Sequence, residues 1–247
     1  MIVLMKGLNE EYSVKRVLSS IHDQDFCSRI IVIDGGSTDY TVQECKEFSK
    51  VEVYVHPWLD WYHDMEVSQS NIGLSYIPQG QLAFILDFDE KPSNFLIEEL
   101  DTISREDRMP GDADIGQVPR RTFEPIRLED SPHAMLSADD WPMISHQIGQ
   151  YPDFQCRIFK KDYRMRWVNS PHHLLIGWES MTEYHVNPDI DAHIIHYEKD
   201  DLRDRHRIER KWARAVATRK TLGLQPDVYE VNIQPEVHKY TNPEVWK

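Results

Sequence analysis

Ala83-Phe84-Ile85-Leu86-Asp87-Phe88-Asp89-Glu90 is an apolar run that ends in carboxylates. Four apolar residues in a row leave no polar face, so residues 82–86 read as a buried strand. Asp87 and Asp89 then fall at its C-terminal end, where open α/β sheets place their ligands. Residues i and i+2 of a strand point the same way, and a loop leaving the strand can aim both carboxylates into one cleft. Clustered carboxylates repel each other unless a cation or a proton lies between them. A divalent ion carrying a phosphorylated substrate meets that need. The plain alternative is a solvated acidic turn, and the upstream segments decide between the two.

Strand and helix alternate ahead of this run. Residues 2–5 form an apolar strand, and Val14, Val17, Leu18 and Ile21 follow at helical spacing. Residues 29–33 are a second apolar strand. Asp39 and Thr41 can cap a helix that turns Val42, Cys45 and Phe48 or Ser49 inward. Residues 51–55 alternate as a third strand, and a helix over 63–77 leads through Pro78-Gln79-Gly80 to the 82–86 strand. Pro92 sits where a helix with Leu96, Leu100 and Ile103 on one face begins. The alternation predicts an α/β fold: a mostly parallel, twisted central sheet with helices on both faces.

Residues 112–198 differ in texture. Strand-like runs at 115–119, 155–159 and 194–197, set among aromatics and prolines, predict an α+β extension packed on the sheet. Residues 201–222 predict an Arg- and Lys-rich helix, and the tail from Gly223, with three prolines, is expected to wrap the surface.

Composition excludes several classes. The 247 residues carry 28 Lys and Arg against 42 Asp and Glu, a formal net charge of −14. A general nucleic-acid binder needs a basic face, so that class is set aside. No apolar stretch approaches the roughly 20 residues needed to span a bilayer, and the first six residues look like a strand rather than a leader peptide. Cys27, Cys45 and Cys156 lack metal-ligand spacing and read as reduced thiols of a cytoplasmic protein.

Three loops follow three of the predicted strands at one edge of the sheet: Lys6-Gly7-Leu8-Asn9-Glu10-Glu11, Asp34-Gly35-Gly36-Ser37-Thr38-Asp39 and Asp87-Phe88-Asp89-Glu90. The glycine pair lets backbone N–H groups approach a ligand closely. With Asn71 between the second loop and the third, the series resembles the family 2 glycosyltransferases of the GT-A fold. Their pattern runs Asn-Glu-Glu, then Val-Asp-x-Gly-Ser-Thr-Asp, an Asn, and Leu-Asp-x-Asp-Glu. The lipopolysaccharide-core glucosyltransferase-like subgroup resembles it most, through Arg157-Ile158-Phe159-Lys160, Trp167 and His172-His173. Departures are Gly35 for a second Asp, Lys6-Gly7 for Pro-Thr, and Ser70 for Arg.

The resemblance implies transfer of a sugar from a nucleotide-diphosphate donor, expected to be a UDP-sugar, with inversion at the anomeric carbon. Residues 1–105 are then the nucleotide-sugar-binding half, 106–200 the acceptor-side extension of the same domain, and 201–247 a C-terminal basic helix and tail. It places Asn9, Glu10, Asp34, Gly36, Asn71, Asp87 and Arg157 around the donor. Asp87, Asp89 and His173 are the expected ligands of Mn²⁺ or Mg²⁺, and Asp153 the acceptor-side general base. Asp140 and Glu179 are rival bases, His172 rivals His173, and Asp153 after Pro152 also reads as a turn residue. Trp58, Trp61 and Trp141 either stack on a sugar or fill the core. The acceptor is a carbohydrate, lipid-linked or other glycan. The 201–222 helix is either a solvated face or a peripheral contact at the inner face of a membrane. Two other classes stay in view: a haloacid-dehalogenase-like phosphatase with Asp87 as nucleophile, and a non-catalytic sugar-nucleotide-binding module.

Overall fold

The computed structural model describes residues 1–58, 65–124, 147–148, 151–168, 174–178 and 182–197. In chain order the elements are β1 (Ile2–Gly7), α1 (Val14–Ile21), β2 (Arg29–Asp34), α2 (Thr41–Cys45), β3 (Val51–Val55), α3 (Met65–Ser75), β4 (Leu82–Ile85), β5 (Glu90–Pro92) and α4 (Asn94–Glu106). There follow β6 (Ile115–Glu124), β7 (Gln147–Ile148), β8 (Asp153–Lys160), β9 (Arg166–Val168), β10 (Leu174–Ile176), β11 (Glu183–His185) and β12 (Ile194–Tyr197).

One sheet joins both halves of the chain in the order β3-β2-β1-β4-β8-β6-β12-β5, with β7 and β11 also paired to β6. The strands β3, β2, β1 and β4 are parallel to one another, as the βαβα alternation requires. Antiparallel β8 then separates β4 from β6. The mostly parallel arrangement expected therefore holds for the N-terminal half, and the sheet as a whole is mixed. Strands β9 and β10 form a separate antiparallel pair.

Alternation along β1 splits the core in two. Val3 and Met5 pack with Val14, Val17, Leu18 and Ile21 of α1 and Leu96, Leu100 and Ile103 of α4. Ile2 and Leu4 pack on the other side with Leu74 of α3 and with Trp167 and Leu175 of the β9–β10 pair. The class is thus α/β, with helices on both faces of the sheet.

Boundaries moved where local chemistry differs from the periodicity. The strand expected over 82–86 stops at Ile85, and the chain turns through the two carboxylates. Pro92 does not open a helix. It ends the edge strand β5, where a residue without an N–H is tolerated. The helix α4 begins two residues later, with Ser93 Oγ accepting from Leu96 N–H at 3.2 Å as its N-cap. The second helix is only Thr41–Cys45, with Val42 half-buried. The helix expected over 63–77 is described from Met65 to Ser75. The 201–222 helix, the tail, Trp61, Asp140, Trp141, His172, His173 and Glu179 lie outside the described residues.

Candidate active site at the ends of β1, β2 and β4

The first two loops interlock. Asn9, held at φ +59°, accepts from Thr38 N–H at 2.9 Å, and its own N–H donates to Ser37 Oγ at 2.8 Å. Glu10 N–H donates to Thr41 Oγ1 at 2.6 Å, and Glu11 N–H to Asp39 Oδ2 at 3.2 Å. Asp34 is 1% exposed. Its Oδ2 accepts from the N–H groups of Gly36 and Ser37, each at 2.9 Å, and its Oδ1 from Ser37 Oγ at 2.5 Å. The turn passes through Gly36 at φ +88°, a conformation that side-chain-bearing residues rarely adopt. Asn9, Glu10, Asp34 and Gly36 are therefore brought together at one edge. Their polar atoms chiefly tie the loops together. Trp58 N–H donates to Gly35 O at 2.6 Å, which sets this half-buried indole beside the glycine pair.

The third loop is anchored by a close approach. A methyl group on Gly7 would lie 2.5 Å from Phe88 Cδ2, so only glycine at the end of β1 lets Phe88 bury to 2% exposure. With Phe88 pinned inward, its neighbours Asp87 and Asp89 keep partly exposed carboxylates.

Asp87 stands between two cations. Its Oδ1 lies 3.4 Å from Lys6 Nζ and its Oδ2 3.3 Å from Arg157 Nη1. Burial alone would raise its pKa, yet the charges of Lys6 and Arg157 hold it well below the usual carboxylate range. Beneath it, Glu90 is fully buried. One Glu90 oxygen accepts from Asp87 N–H at 3.0 Å and the other from Arg157 Nη2 at 2.6 Å. Burial pushes Glu90 upward and Arg157 opposes it. Arg157 Nη2 also donates to Gln155 Oε1 at 2.7 Å. Arg120 extends the network, with Nη1 3.7 Å from Glu90 Oε1 and Nη2 2.7 Å from Asp153 Oδ2.

The resemblance places Arg157 at the donor. In the structure its guanidinium ties the turn to β8, with its terminal nitrogens bonded to Asp87, Glu90 and Gln155. Asn71 was also placed at the donor. Its amide accepts from Trp167 N–H at 2.8 Å and donates to Trp167 O at 3.0 Å, so it clamps β9 to α3.

Sequence reasoning missed the partner of Asp89. His196 on β12 presents Nε2 to Asp89 Oδ2 at 3.7 Å, and its Nδ1 lies 3.2 Å from Thr122 Oγ1. Burial lowers the His196 pKa, but the bond to Asp89 and the charges of Asp89 and Glu90 outweigh it and raise it. The pairing of β12 with β5 sets His196 opposite Glu90, so a residue 107 positions downstream of Asp89 reaches it through strand register. The 194–197 strand was legible, whereas its place beside β5 is a tertiary fact. Lys6, Glu90, Arg120 and Gln155 also went without a role.

Among the described residues no group of three or more His, Cys, Asp and Glu side chains is arranged to hold a metal ion. Asp89 and His196 supply one oxygen and one nitrogen donor. Two ligands each about 2.1 Å from one ion stand at most about 4.2 Å apart, so the 3.7 Å separation fits. Carboxylate and imidazole suit a divalent ion such as Mn²⁺.

The search of curated proteins gives no match. Among solved structures, S. aureus TarS 1-349 is 18% identical, with a TM-score of 0.40 over 49% of this chain and 35% of that one. The same protein in complex with UDP aligns at 15% identity over 87% of this chain and 64% of that one, with a TM-score of 0.45. Glucosyl-3-phosphoglycerate synthase from Mycobacterium tuberculosis, in complex with Mn²⁺, UDP and glucosyl-3-phosphoglycerate, is 21% identical. That alignment covers 50% of this chain and 43% of that one, with a TM-score of 0.35. In each of these alignments the chain covers less than two thirds of the other protein's length. Residues 3–64, from β1 past β3, match the model of the family described as Glycosyl transferase family 2.

Proposed function

We propose that this chain is a nucleotide-sugar glycosyltransferase of the family 2 type, which moves a sugar with inversion from a UDP-sugar to a glycan or lipid-linked acceptor. The observation that carries the reading is the meeting of three loops at the ends of parallel strands β1, β2 and β4, with Asp89 facing His196. The family match over residues 3–64 supports it, because it falls on the βαβ segment that supplies the first two of those loops. That segment also counts against the phosphatase alternative, whose aspartate motif normally opens its chain.

Asp89 and His196 would hold the divalent ion in this reading, with one oxygen and one nitrogen donor. When bound, the ion supplies positive charge against the diphosphate leaving group. Asp87, already bracketed by Lys6 and Arg157, is reassigned from metal ligand to the floor of the donor pocket. Asp153 remains the proposed base, now oriented by Arg120. The inverting outcome and the UDP preference rest on the resemblance to the family.

The test is a screen of nucleotide sugars with Mn²⁺, which reads hydrolysis and thermal stabilisation. A UDP-sugar is expected to raise the melting temperature and to turn over, and EDTA and Asp89→Ala are each expected to abolish turnover with the fold intact. No stabilisation by any nucleotide sugar overturns the reading. Full turnover in EDTA overturns the role of the metal.

A further inference from the structure

We propose that Lys6 is a donor-phosphate contact, a cation that leaves Asp87 for the phosphate of the bound nucleotide. The inference rests on the glycosyltransferase reading and deepens it.

Alternation along β1 puts Lys6 on the same face as Ile2 and Leu4, both of which are buried in apolar surroundings. A lysine at the third of these positions does not fill the core. Its ammonium reaches the C-terminal edge of the sheet, where the side chain is 19% exposed. Burial works to discharge it, but the carboxylates of Asp87 and Glu66 outweigh burial and keep it protonated.

The cations around the turn are not equivalent. The buried, fork-shaped guanidinium of Arg157 is committed to Glu90 at 2.6 Å and Gln155 at 2.7 Å, besides Asp87. Arg120 is committed to Asp153 at 3.0 and 2.7 Å. Lys6 meets Asp87 at 3.4 Å, long for a charge-assisted hydrogen bond of about 2.7–2.9 Å. Asp87 retains Arg157 as counter-charge if Lys6 departs. A lysine carries three N–H donors on a flexible stem and acts as a mobile point charge. Phosphates that arrive at the strand ends bring a stronger and more exposed anion than the half-shared Asp87 carboxylate.

Local charge argues the same way. Asp87, Asp89, Glu90 and Asp153 set four carboxylates against the side-chain cations Lys6, Arg120 and Arg157, with His196 beside Asp89. An anionic donor entering this cluster needs positive charge that is not already locked to a carboxylate. Lys6 is the cation whose bond is weakest.

The experiment compares uridine, UMP and UDP by calorimetry against the wild-type protein, Lys6→Met and Lys6→Arg, each in EDTA and in Mn²⁺. Lys6→Met is expected to lose at least tenfold in affinity for UMP or UDP and less than twofold for uridine, with Lys6→Arg restoring most of the loss. An equal loss for uridine and UDP shows that Lys6 merely shapes the pocket and overturns the proposal. No loss for either does the same. If Lys6→Met does not fold, Lys6→Gln decides, since it removes the charge and keeps a polar side chain: UDP bound at least tenfold worse with uridine bound normally places Lys6 at the phosphate, and unchanged binding of both overturns that placement. Wild-type protein that binds none of the uridine, guanosine, cytidine and thymidine diphosphates overturns the glycosyltransferase reading, and the role of Lys6 falls with it.

Discussion

Glu90 Oε1 lies 2.6 Å from Arg157 Nη2 beneath the turn that carries Asp87 and Asp89, and Glu90 has no exposed surface. This pair joins the two halves of the chain, because Glu90 opens β5 and Arg157 lies on β8. Removing one member of a buried pair strands the other charge, which costs about 3–5 kcal/mol. Glu90→Ala and Arg157→Met are each expected to destabilise on that scale in urea titrations. Combining Glu90→Gln with Arg157→Gln removes both charges at similar volume, and its loss should fall below the sum of the two single Gln variants. Strict additivity in that cycle would show that the two residues do not act as a pair.

Gly7 and Phe88 set the direction of the turn. A Cβ at Gly7 meets Phe88 ring carbons at 2.5 and 2.9 Å. Overpacking of this kind costs about 1–3 kcal/mol, and here the ring can yield only by displacing Asp87 and Asp89. Gly7→Ala is expected to weaken Mn²⁺-dependent nucleotide binding more than it lowers the melting temperature. Adding Phe88→Leu should recover part of the binding by removing the ring. Normal binding by Gly7→Ala alone would contradict this account of the turn.

The helical faces of α1 and α4 and the strands over 115–119, 155–159 and 194–197 were legible because each obeys a local period. The loops that interlock through Asn9, Glu10, Asp34 and Asp39 were legible as a constellation, since three loops end neighbouring parallel strands. Their individual roles were not. A motif records that Asn71 and Arg157 belong together in a fold but not which atoms they face. Asn71 is spent on the backbone of Trp167, and Arg157 on Asp87, Glu90 and Gln155. His196 escaped notice for the opposite reason. Nothing within ten residues of it marks a site, and only the β5–β12 register brings it to Asp89.

Asp153 and Arg120 test the acceptor side. Asp153 Oδ2 accepts from Arg120 Nε at 3.0 Å, Arg120 Nη2 at 2.7 Å and Gln155 Nε2 at 3.0 Å. These donors orient the carboxylate. Asp153→Asn keeps the shape and removes the basic oxygen, so transfer is expected to fall about 100-fold or more. Calorimetry with UDP should show unchanged affinity. Near-normal transfer by the Asn variant, or retention at the anomeric carbon of the product, removes Asp153 from the role of base.

His193 gives a prediction that is independent of catalysis. It is 5% exposed, packs edge-on against Tyr151 with ring centroids 5.9 Å apart, and its buried Nδ1 has no hydrogen-bond partner among the described residues. Burial, with the nearby Arg121 charge against it and Asp191 partly offsetting, lowers its pKa to about 4. The unfolded chain takes up this proton near the ordinary imidazole value of 6.5, and the folded chain does so only near 4. Between those values the unfolded state binds more protons, so stability falls as pH drops from 6.5 towards 4 and levels off below. At about 1.4 kcal/mol per pH unit the loss is at most about 3.5 kcal/mol. His193→Phe keeps a ring against Tyr151 and removes the titration. Chemical denaturation at pH 7.5, 5.5 and 4.0 should show wild-type stability dropping relative to His193→Phe across that series. Parallel pH curves for the two proteins would mean that His193 takes up its proton as readily in the folded chain as in the unfolded one, and the neutral buried ring described here would be wrong.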